Sequence, residues 1–255
     1  MKKHIKIATY NICHCLNFVN YVPPEPAWKV LEIEPEKTAE TIRSLGAEIV
    51  GLNEVYETGG GGLDEQAKTL ARYAGFKNHA FGEAICFGGE KRYGNAMLLN
   101  DPLLSADVIK VPAPPQEQRT EGGYYEDRAI LRVVTEIGGV KVTVMSTHFG
   151  LNPSEQKNMV EKLAEILDET KTPVILMGDF NAQPHEKVLQ PIYSRLKSAA
   201  DESNCREFTF ASYAPERVID YIFVSREFCV ESVEAVDART SDHRPLTATL
   251  SIETK

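Results

Sequence analysis

The chain has 255 residues, of which 42% are hydrophobic and 25% are charged, a composition typical of a globular protein with a sizeable core. Its formal net charge is −9, so long-range attraction to a polyanion is excluded, and nucleic-acid binding would need a local basic patch or a bridging metal ion. The five cysteines are an odd number, which argues against a full set of disulfides and favours a cytoplasmic protein.

The N-terminal residues are basic, but the apolar run beside them is too short for a signal peptide. No segment approaches the roughly 20 apolar residues that a membrane-spanning helix requires. We therefore expect a cytoplasmic chain without a membrane span.

The first predicted strand covers residues 6–11 and ends at Asn11, because polar and apolar residues alternate there. A Pro-rich, irregular segment follows and carries Trp28, the only tryptophan. Such a segment could form a substrate rim, but tryptophan is usually well buried, so we expect Trp28 to pack beneath the loop. The sequence Cys13-His14-Cys15 lacks a second pair of ligands elsewhere, so a structural zinc site is not expected.

Capping signals predict three longer helices and one short helix. Pro35 suits a first turn and Gly46 a helix end, which predicts a helix over residues 35–45. The second helix, residues 64–74, would have Asp64 as N-cap and Gly75 as C-cap. In the third, residues 152–169, Asn152 and Glu155 have the spacing of a capping box. The short helix covers residues 185–193.

Strands are predicted wherever short apolar or alternating runs lie between turn residues. They cover residues 48–54, 77–81, 84–87, 94–99, 106–111, 128–137, 140–148, 174–177, 208–210, 218–224, 230–236 and 246–252. The glycines at positions 138 and 139 predict a hairpin turn, and the four glycines at 59–62 predict a flexible turn. Without a repeat or a break in composition, residues 1–255 are expected to form one domain, a mixed α/β fold with two packed sheets and helices outside.

The stretch after the predicted strand at 174–177 combines a buried run with polar residues. Asp179 and Asn181 are two positions apart, so in continued strand geometry they point to the same side and Phe180 points into the core. A carboxylate and a carboxamide there could hold a cation, orient a water or bind a phosphate. The same residues are also ordinary turn formers.

Further polar residues lie at strand ends. Asn11, Glu54, His148 and Asp179 each close an apolar run, and Asp242-His243 precedes the last strand. Asp220 lies inside an apolar strand, where a carboxylate is costly unless it is paired, and His243 or a cation is the expected partner. Each residue alone is compatible with a turn or a core role, whereas together they predict a site at the strand ends.

Seven short motifs, in this order along the chain, carry a family resemblance. They are Thr9-Tyr10-Asn11, Asn53-Glu54, Gly94-Asn95-Ala96, Ser146-Thr147-His148, Gly178-Asp179-Phe180-Asn181-Ala182, Ile219-Asp220-Tyr221-Ile222-Phe223 and Ser241-Asp242-His243-Arg244-Pro245. The set resembles the endonuclease/exonuclease/phosphatase superfamily of DNase I-like nucleases, abasic-site endonucleases, sphingomyelinases, inositol-phosphate phosphatases and deadenylases. The resemblance implies a four-layer α/β sandwich with the site in a cleft at one edge of the two sheets.

The resemblance also implies metal-assisted hydrolysis of a phosphoester, with Mg2+ as the cofactor and Mn2+ as the alternative. The implied metal ligands are Glu54, Asn11 and Asp242. Asp179 would orient or deprotonate water, and Asn181 would position Asp179 and the phosphate. His148 and His243 would donate hydrogen bonds to the phosphate, and Asp220 would hold His243. Arg128 would add a cation near the phosphate, or would be a surface or packing arginine.

The resemblance leaves the substrate open among nucleic acid, a lipid head group and a small metabolite. A phosphodiesterase or nuclease-type reaction is favoured, and the alternatives are a phosphomonoesterase and a non-catalytic module that binds a phosphorylated ligand. Basic residues near the expected cleft are few, which weakens the prediction of duplex binding. They are Lys91, Arg92, Arg119, Arg128 and Arg244.

Overall fold

The computed structural model describes residues 1–61 and 63–254, so the predicted glycine turn at 59–62 lies partly outside the described residues. The strands are β1 Lys2–Asn11, β2 Ile49–Tyr56, β3 Asn78–Phe87, β4 Lys91–Leu99, β5 Leu103–Val111, β6 Arg128–Ile137, β7 Val140–His148, β8 Val174–Asp179, β9 Lys197–Ser198, β10 Asp220–Val224, β11 Phe228–Ala235 and β12 Leu246–Glu253. The helices are α1 Ala27–Val30, α2 Pro35–Ser44, α3 Gln66–Ala74, α4 Pro153–Glu169, α5 Gln190–Tyr193 and α6 Ala199–Glu202.

The strands form two six-stranded mixed sheets, in the orders β11-β12-β1-β2-β4-β3 and β5-β6-β7-β8-β10-β9. Three hydrophobic clusters fill the spaces between layers. One lies between the two sheets, the second joins the first sheet to α2 and α3, and the third joins the second sheet to α4 and α5. The fold is therefore the four-layer α/β sandwich that the resemblance implies.

Each sheet has one parallel pair of strands at its centre. Strands β1 and β2 are parallel in the first sheet, and β7 and β8 are parallel in the second. The crossover between β1 and β2 contains α2, and the crossover between β7 and β8 contains α4. Because parallel neighbours end on the same side, each sheet presents two carboxyl-terminal strand ends together.

The two sheets approach each other closely beside these ends. A Cβ atom on Gly51 would lie 2.6 Å from Met177 Sδ and 3.3 Å from Ser146 Oγ. A larger residue at this position would require the Met177 side chain to move. The close approach brings the strand ends of the two sheets within side-chain reach.

The predicted helix signals are confirmed at two of the three longer helices. Pro35 begins α2, and α4 has the predicted capping box of Asn152 and Glu155. The signal for the helix predicted over residues 64–74 is partly wrong, because the N-cap of α3 is Glu65 and not Asp64. The Asp64 carboxylate instead accepts the backbone N–H groups of Gly59 and Gly60, a local turn that competes with capping.

Several strand predictions need correction. Residues 77–81 and 84–87 belong to one strand, β3, whose pairing with β4 shifts between Glu83 and Ile85. Strand β5 begins at Leu103, earlier than predicted. Residues 208–210 form no strand, because Phe210 pairs only through isolated bridges to Arg217 and His243.

Trp28 is 74% exposed, so the prediction that it packs beneath its loop is wrong. Its helix α1 is a single turn without a buried residue, and it therefore covers no core. Within residues 1–61 and 63–254, the helices are too short or too polar to cross a bilayer.

Candidate active site

The predicted site residues converge at the carboxyl ends of the two parallel strand pairs. Asn11 ends β1, Glu54 lies near the end of β2, His148 ends β7 and Asp179 ends β8. Strand register places Asp179 beside His148 on one side and opposite Asp220 of the antiparallel β10 on the other. The site therefore takes residues from both sheets.

Asn53 ties the two sheets together beneath the site. Its Nδ2 donates to Asn95 Oδ1 at 2.8 Å and to the Thr147 carbonyl oxygen at 2.9 Å, and its Oδ1 accepts the Asp179 N–H at 3.0 Å. Asn95 continues the network by donating to the Ala129 carbonyl oxygen at 2.9 Å. Both asparagines are buried, so this network fixes the backbone of Asp179. Their motifs marked them in the sequence, but their bridging role depends on contacts between sheets.

The Asp179 carboxylate is the centre of the site. Its Oδ2 accepts from Asn11 Nδ2 at 3.1 Å and lies 3.5 Å from His148 Nε2 and 3.6 Å from His243 Nε2. Burial raises its pKa from an ordinary value of 3.8 to about 7, although His243 lowers it in part. A carboxylate with this pKa exchanges protons near neutral pH, as a general base must.

His243 forms a buried ion pair with Asp220. Its Nδ1 lies 2.9 Å from Asp220 Oδ2, so the predicted partner of Asp220 is confirmed. Burial alone would lower the pKa of His243, but the carboxylates of Asp220 and Asp179 raise it well above 6.5. The imidazole is therefore protonated at neutral pH, and Nε2–H points towards Asp179.

His148 has the opposite protonation state. Burial and the neighbouring Arg128 lower its pKa to about 3, so its ring is neutral. Arg128 Nη1 lies 3.4 Å from His148 Nδ1, and an arginine can only donate. The other ring nitrogen, Nε2, lies 3.5 Å from Asp179 Oδ2 and 3.3 Å from Asn181 Nδ2.

Arg128 lies beside His148 and is largely buried, so it is not a surface arginine, and its role near a phosphate stays a prediction. Its side chain is 12% exposed and pairs with Glu126 at 3.0 Å, and its Nε is buried without a hydrogen-bond partner among the described residues. The ion pair with Glu126 leaves some of the N–H donors of Arg128 free to face a bound anion.

Asn181 does not continue the strand, because β8 ends at Asp179 and Asn181 has a φ of +45°. The turn nevertheless brings both residues to one side, since the Asn181 N–H donates to Asp179 Oδ1 at 2.9 Å and its Nδ2 lies 3.3 Å from His148 Nε2. Phe180 is fully buried and packs on Phe149, as predicted.

Asn11 presents its amide nitrogen, and not its oxygen, to the two carboxylates. Its Nδ2 donates to Glu54 Oε1 and to Asp179 Oδ2, both at 3.1 Å, while its Oδ1 accepts the Cys13 N–H at 3.1 Å. The backbone N–H of Cys13 needs an acceptor, which fixes the amide orientation. Here Asn11 is a hydrogen-bond donor between two acids, and its role as a metal ligand stays a prediction.

Glu54 and Asp242 have the chemistry of a divalent-cation site. Burial raises the pKa of Asp242, and the negative charge of Glu54 raises it further. At Glu54 burial also favours the neutral form, but the nearby histidines and Asn11 lower the pKa overall. Two facing carboxylates that repel each other in a half-buried cavity are stabilised by a hard cation with oxygen ligands. The residues present therefore fit the implied Mg2+ ion.

A cavity of about 390 Å³ opens above these residues. Its lining includes Glu54, His148, Asp179, Asp242, His243 and the buried Tyr93, and the more exposed residues at its rim are Tyr124, Glu126, Leu151, Phe210 and Arg217. Asp220 lies outside this lining and reaches the cavity only through His243. The other basic residues noted in the sequence do not line it: Arg92 pairs with Glu83, Arg244 pairs with Asp237, and Arg119 lies over the Tyr125 ring.

Two site residues were missed in the sequence. Arg217 lies over the Phe210 ring at 4.8 Å, and Phe210 in turn packs on His243 at 4.8 Å. Arg217 is exposed and makes no ion pair with any described residue, so its charge is available at the rim. His14 Nδ1 lies 3.5 Å from Glu54 Oε2. No local pattern in the sequence links either residue to the site.

The comparisons agree with this geometry. A model of the Endonuclease/Exonuclease/phosphatase family matches residues 8–243. The structure of an endonuclease/exonuclease/phosphatase from Beutenbergia cavernae superposes with a TM-score of 0.75 at 23% identity, covering 98% of this chain and 72% of that chain. A mannosyl-6-phosphatase from Bacteroides thetaiotaomicron superposes with a TM-score of 0.72 at 16% identity, covering 96% and 99%. At these sequence identities, the similarity of the structures shows that the chains share a fold.

Among curated relatives, a UPF0294 protein of Vibrio campbellii is 24% identical over 116 residues. The match covers 44% of this chain and 39% of that relative. The chain therefore matches well under half the length of this relative.

Proposed function

The chain belongs to the endonuclease/exonuclease/phosphatase family, and we propose that it is a divalent-metal-dependent phosphoester hydrolase that directs water at phosphorus. The observation that carries this proposal is the convergence of two histidines on one carboxylate. Asp179 Oδ2 lies 3.5 Å from the Nε2 of His148 and 3.6 Å from the Nε2 of His243. A base and two donors thus share one side of a cavity whose other side carries two acids.

Asp179 is the proposed general base. Its pKa of about 7 lets it take a proton from water near neutral pH, and the Asn181 N–H holds its Oδ1 at 2.9 Å. Asn181 positions Asp179 through this bond and is close enough to His148 for its amide to face a bound phosphate.

The two histidines supply different donors to the phosphate. His243 is an imidazolium, so it places a positive charge near the negative charge that develops on the phosphoryl oxygens. His148 is neutral and offers one ring N–H. Asp220 holds His243 in place and protonated, and Arg128 adds a second cationic group behind His148.

Glu54 and Asp242 are the proposed ligands of Mg2+, or of Mn2+ in its place. The bound ion would neutralise charge on the phosphoryl group and on the leaving oxygen.

The cavity favours a small phosphoester over a nucleic-acid duplex. A volume of about 390 Å³ is that of a small-molecule pocket. Among the described residues at its rim, Arg217 is the one arginine without an acidic partner, and Glu126 adds a negative charge there. Duplex binding requires several such cations. Hydrolysis of diesters remains the first proposal, and monoester hydrolysis is the second candidate, since a dianionic group gains more from His243, Arg128 and Arg217.

The test compares hydrolysis of bis-p-nitrophenyl phosphate and p-nitrophenyl phosphate by the wild type, Asp179→Ala and Asp107→Ala, with Mg2+, Mn2+ or EDTA. Asp107 is an exposed carboxylate on β5 that pairs with Arg132 far from the cavity, so it provides a matched control. We expect metal-dependent hydrolysis that falls by a factor of about 100 or more in Asp179→Ala and is kept in the control.

Diester cleavage supports the first proposal, and cleavage of the monoester alone supports a phosphatase. If neither ester is cut although Mg2+ binds, a panel of sugar phosphates, lipid head groups and oligonucleotides follows. The absence of metal-dependent hydrolysis across that panel would refute the enzyme and leave a module that binds phosphorylated ligands.

A further inference from the structure

The turn after β1 holds three successive residues in an unusual backbone conformation. Cys13, His14 and Cys15 have φ values of +42°, +51° and +69°. None of them is glycine, so the left-handed conformation costs free energy at each residue. The Cys13 N–H donates to Asn11 Oδ1, and the His14 carbonyl oxygen accepts from Gln66 Nε2 at 2.8 Å. These bonds fix the turn against the end of β1 and the start of α3.

The turn directs a thiol and an imidazole at Glu54. Cys13 Sγ, His14 Nδ1 and a Glu54 carboxylate oxygen lie within 4.8 Å of one another. Glu54 Oε2 and His14 Nδ1 are 3.5 Å apart, close to the ligand separation around a tetrahedral ion. Cys15, the other thiol of the turn, is fully buried on the far side among core residues, which explains why the Cys-x-Cys spacing does not itself form a site.

Neither donor is otherwise used. His14 Nδ1 is buried and makes no hydrogen bond with any described residue. The Cys13 thiol forms no disulfide, and the Asp242 carboxylate lies near it, which places a fourth potential ligand beside the three.

A hard ion such as Mg2+ uses oxygen ligands and gains nothing from these two groups. Thiolate, imidazole and carboxylate are instead the ligands of zinc and related ions. We propose that Cys13, His14 and Glu54 form a second metal site, for a transition-metal ion of the zinc class, which shares Glu54 with the proposed Mg2+ site. On binding, the Sγ–H bond is replaced by an Sγ–metal bond and the proton leaves to the solvent.

Sharing of Glu54 has a consequence that rests on the proposed function. A zinc-class ion held by Cys13 and His14 occupies a carboxylate that Mg2+ needs, so the two ions compete. Zinc would then inhibit Mg2+-dependent hydrolysis, and added Mg2+ would relieve the inhibition.

The test uses Co2+ as a spectroscopic probe, since it takes zinc sites and reports thiolate ligands through a charge-transfer band in the near ultraviolet. We expect this band in the wild type, its loss on adding Zn2+, and its absence in Cys13→Ser. His14→Gln should weaken binding of Zn2+, measured against a chromophoric chelator, by about 10-fold or more. Cys86→Ser and Cys229→Ser remove exposed thiols and should keep the band.

The absence of a thiolate band in the wild type, or its persistence in folded Cys13→Ser, would overturn the proposal. If Cys13→Ser shows no cooperative unfolding transition, the variant is not folded. The wild-type band and the Zn2+ affinity of His14→Gln then decide the question. The spectrum needs no turnover, so a band without hydrolysis supports the metal site and opposes the proposed function. Mg2+-dependent hydrolysis without a thiolate band would support the proposed function and overturn the second metal site.

Discussion

Replacing Asp179 by Asn should make the protein's stability less dependent on pH. The wild-type carboxyl is 1% exposed and has a folded-state pKa of about 7, raised from 3.8 chiefly by burial. Between these two values the folded state holds a proton that the unfolded state has released. The wild type therefore loses stability as the pH rises from about 4 to 7 and reaches a plateau above the folded-state pKa.

The magnitude follows from the pKa values. Each pH unit in this window is worth about 1.4 kcal/mol, and the range from about pH 5 to pH 7 spans roughly two units. We expect the free energy of unfolding of Asp179→Asn to rise relative to the wild type by about 2–3 kcal/mol between about pH 5 and pH 8. The His243 pKa falls when the Asp179 charge is removed. This fall also makes the stability of the variant rise relative to the wild type as the pH increases.

The absolute offset between the two proteins is less informative than its change with pH. An asparagine at position 179 can still accept the Asn181 N–H, but its Nδ2 would face the donors of Asn11, His148 and His243. That mismatch destabilises the variant about equally at both pH values.

Urea unfolding in EDTA at about pH 5 and pH 8, with Asp107→Asn as an exposed control, measures the difference. A constant difference between variant and wild type would refute the assigned burial of a titrating Asp179. So would a difference that falls as the pH rises.

Three further predictions concern other parts of the site. Glu54→Gln should weaken Mg2+ binding by about 10-fold or more, seen as a smaller rise of Tm in a Mg2+ titration, and an unchanged titration contradicts its ligand role. Asp220→Asn should move the alkaline limb of the pH profile of kcat/KM to lower pH, because His243 loses the carboxylate that most raises its pKa. Activity is lost as the pH rises through that pKa, and an unmoved limb would contradict the pairing of the two residues. Asn53→Ala, which removes three buried hydrogen bonds, should cost about 3 kcal/mol in urea unfolding, against under about 1 kcal/mol for the peripheral Asn158→Ala, and equal costs would contradict the bridging role.

Much of the fold could be predicted because its signals are local. Pro35 and the Asn152–Glu155 capping box act within a few residues of the helix starts that they mark. The exposure of Trp28 could not be predicted in the same way, since burial depends on whether another layer covers the loop. Residues 208–210 have the composition of a strand, but a strand needs a neighbour, and their backbone finds only isolated partners.

The site was predictable to the extent that its residues end strands. Asn11, His148 and Asp179 were identified because an apolar run stops at each of them. The orientation of the Asn11 amide depends on the Cys13 N–H, and the position of Arg217 depends on the Phe210 ring. Both contacts are set by loop geometry that periodicity does not encode.

The two histidines show how surroundings, and not residue type, assign chemical roles in this cavity. His243 lies between two carboxylates and carries a proton, whereas His148 lies beside Arg128 and does not. Burial likewise lets Asp179 hold a proton near neutral pH, although the charge of His243 lowers its pKa in part. A phosphate entering the cavity would meet a charged donor from the β12 side and a neutral donor from the β7 side. Removing the carboxylate of Asp220 would therefore lower the pKa of His243, and removing the guanidinium of Arg128 would raise the pKa of His148.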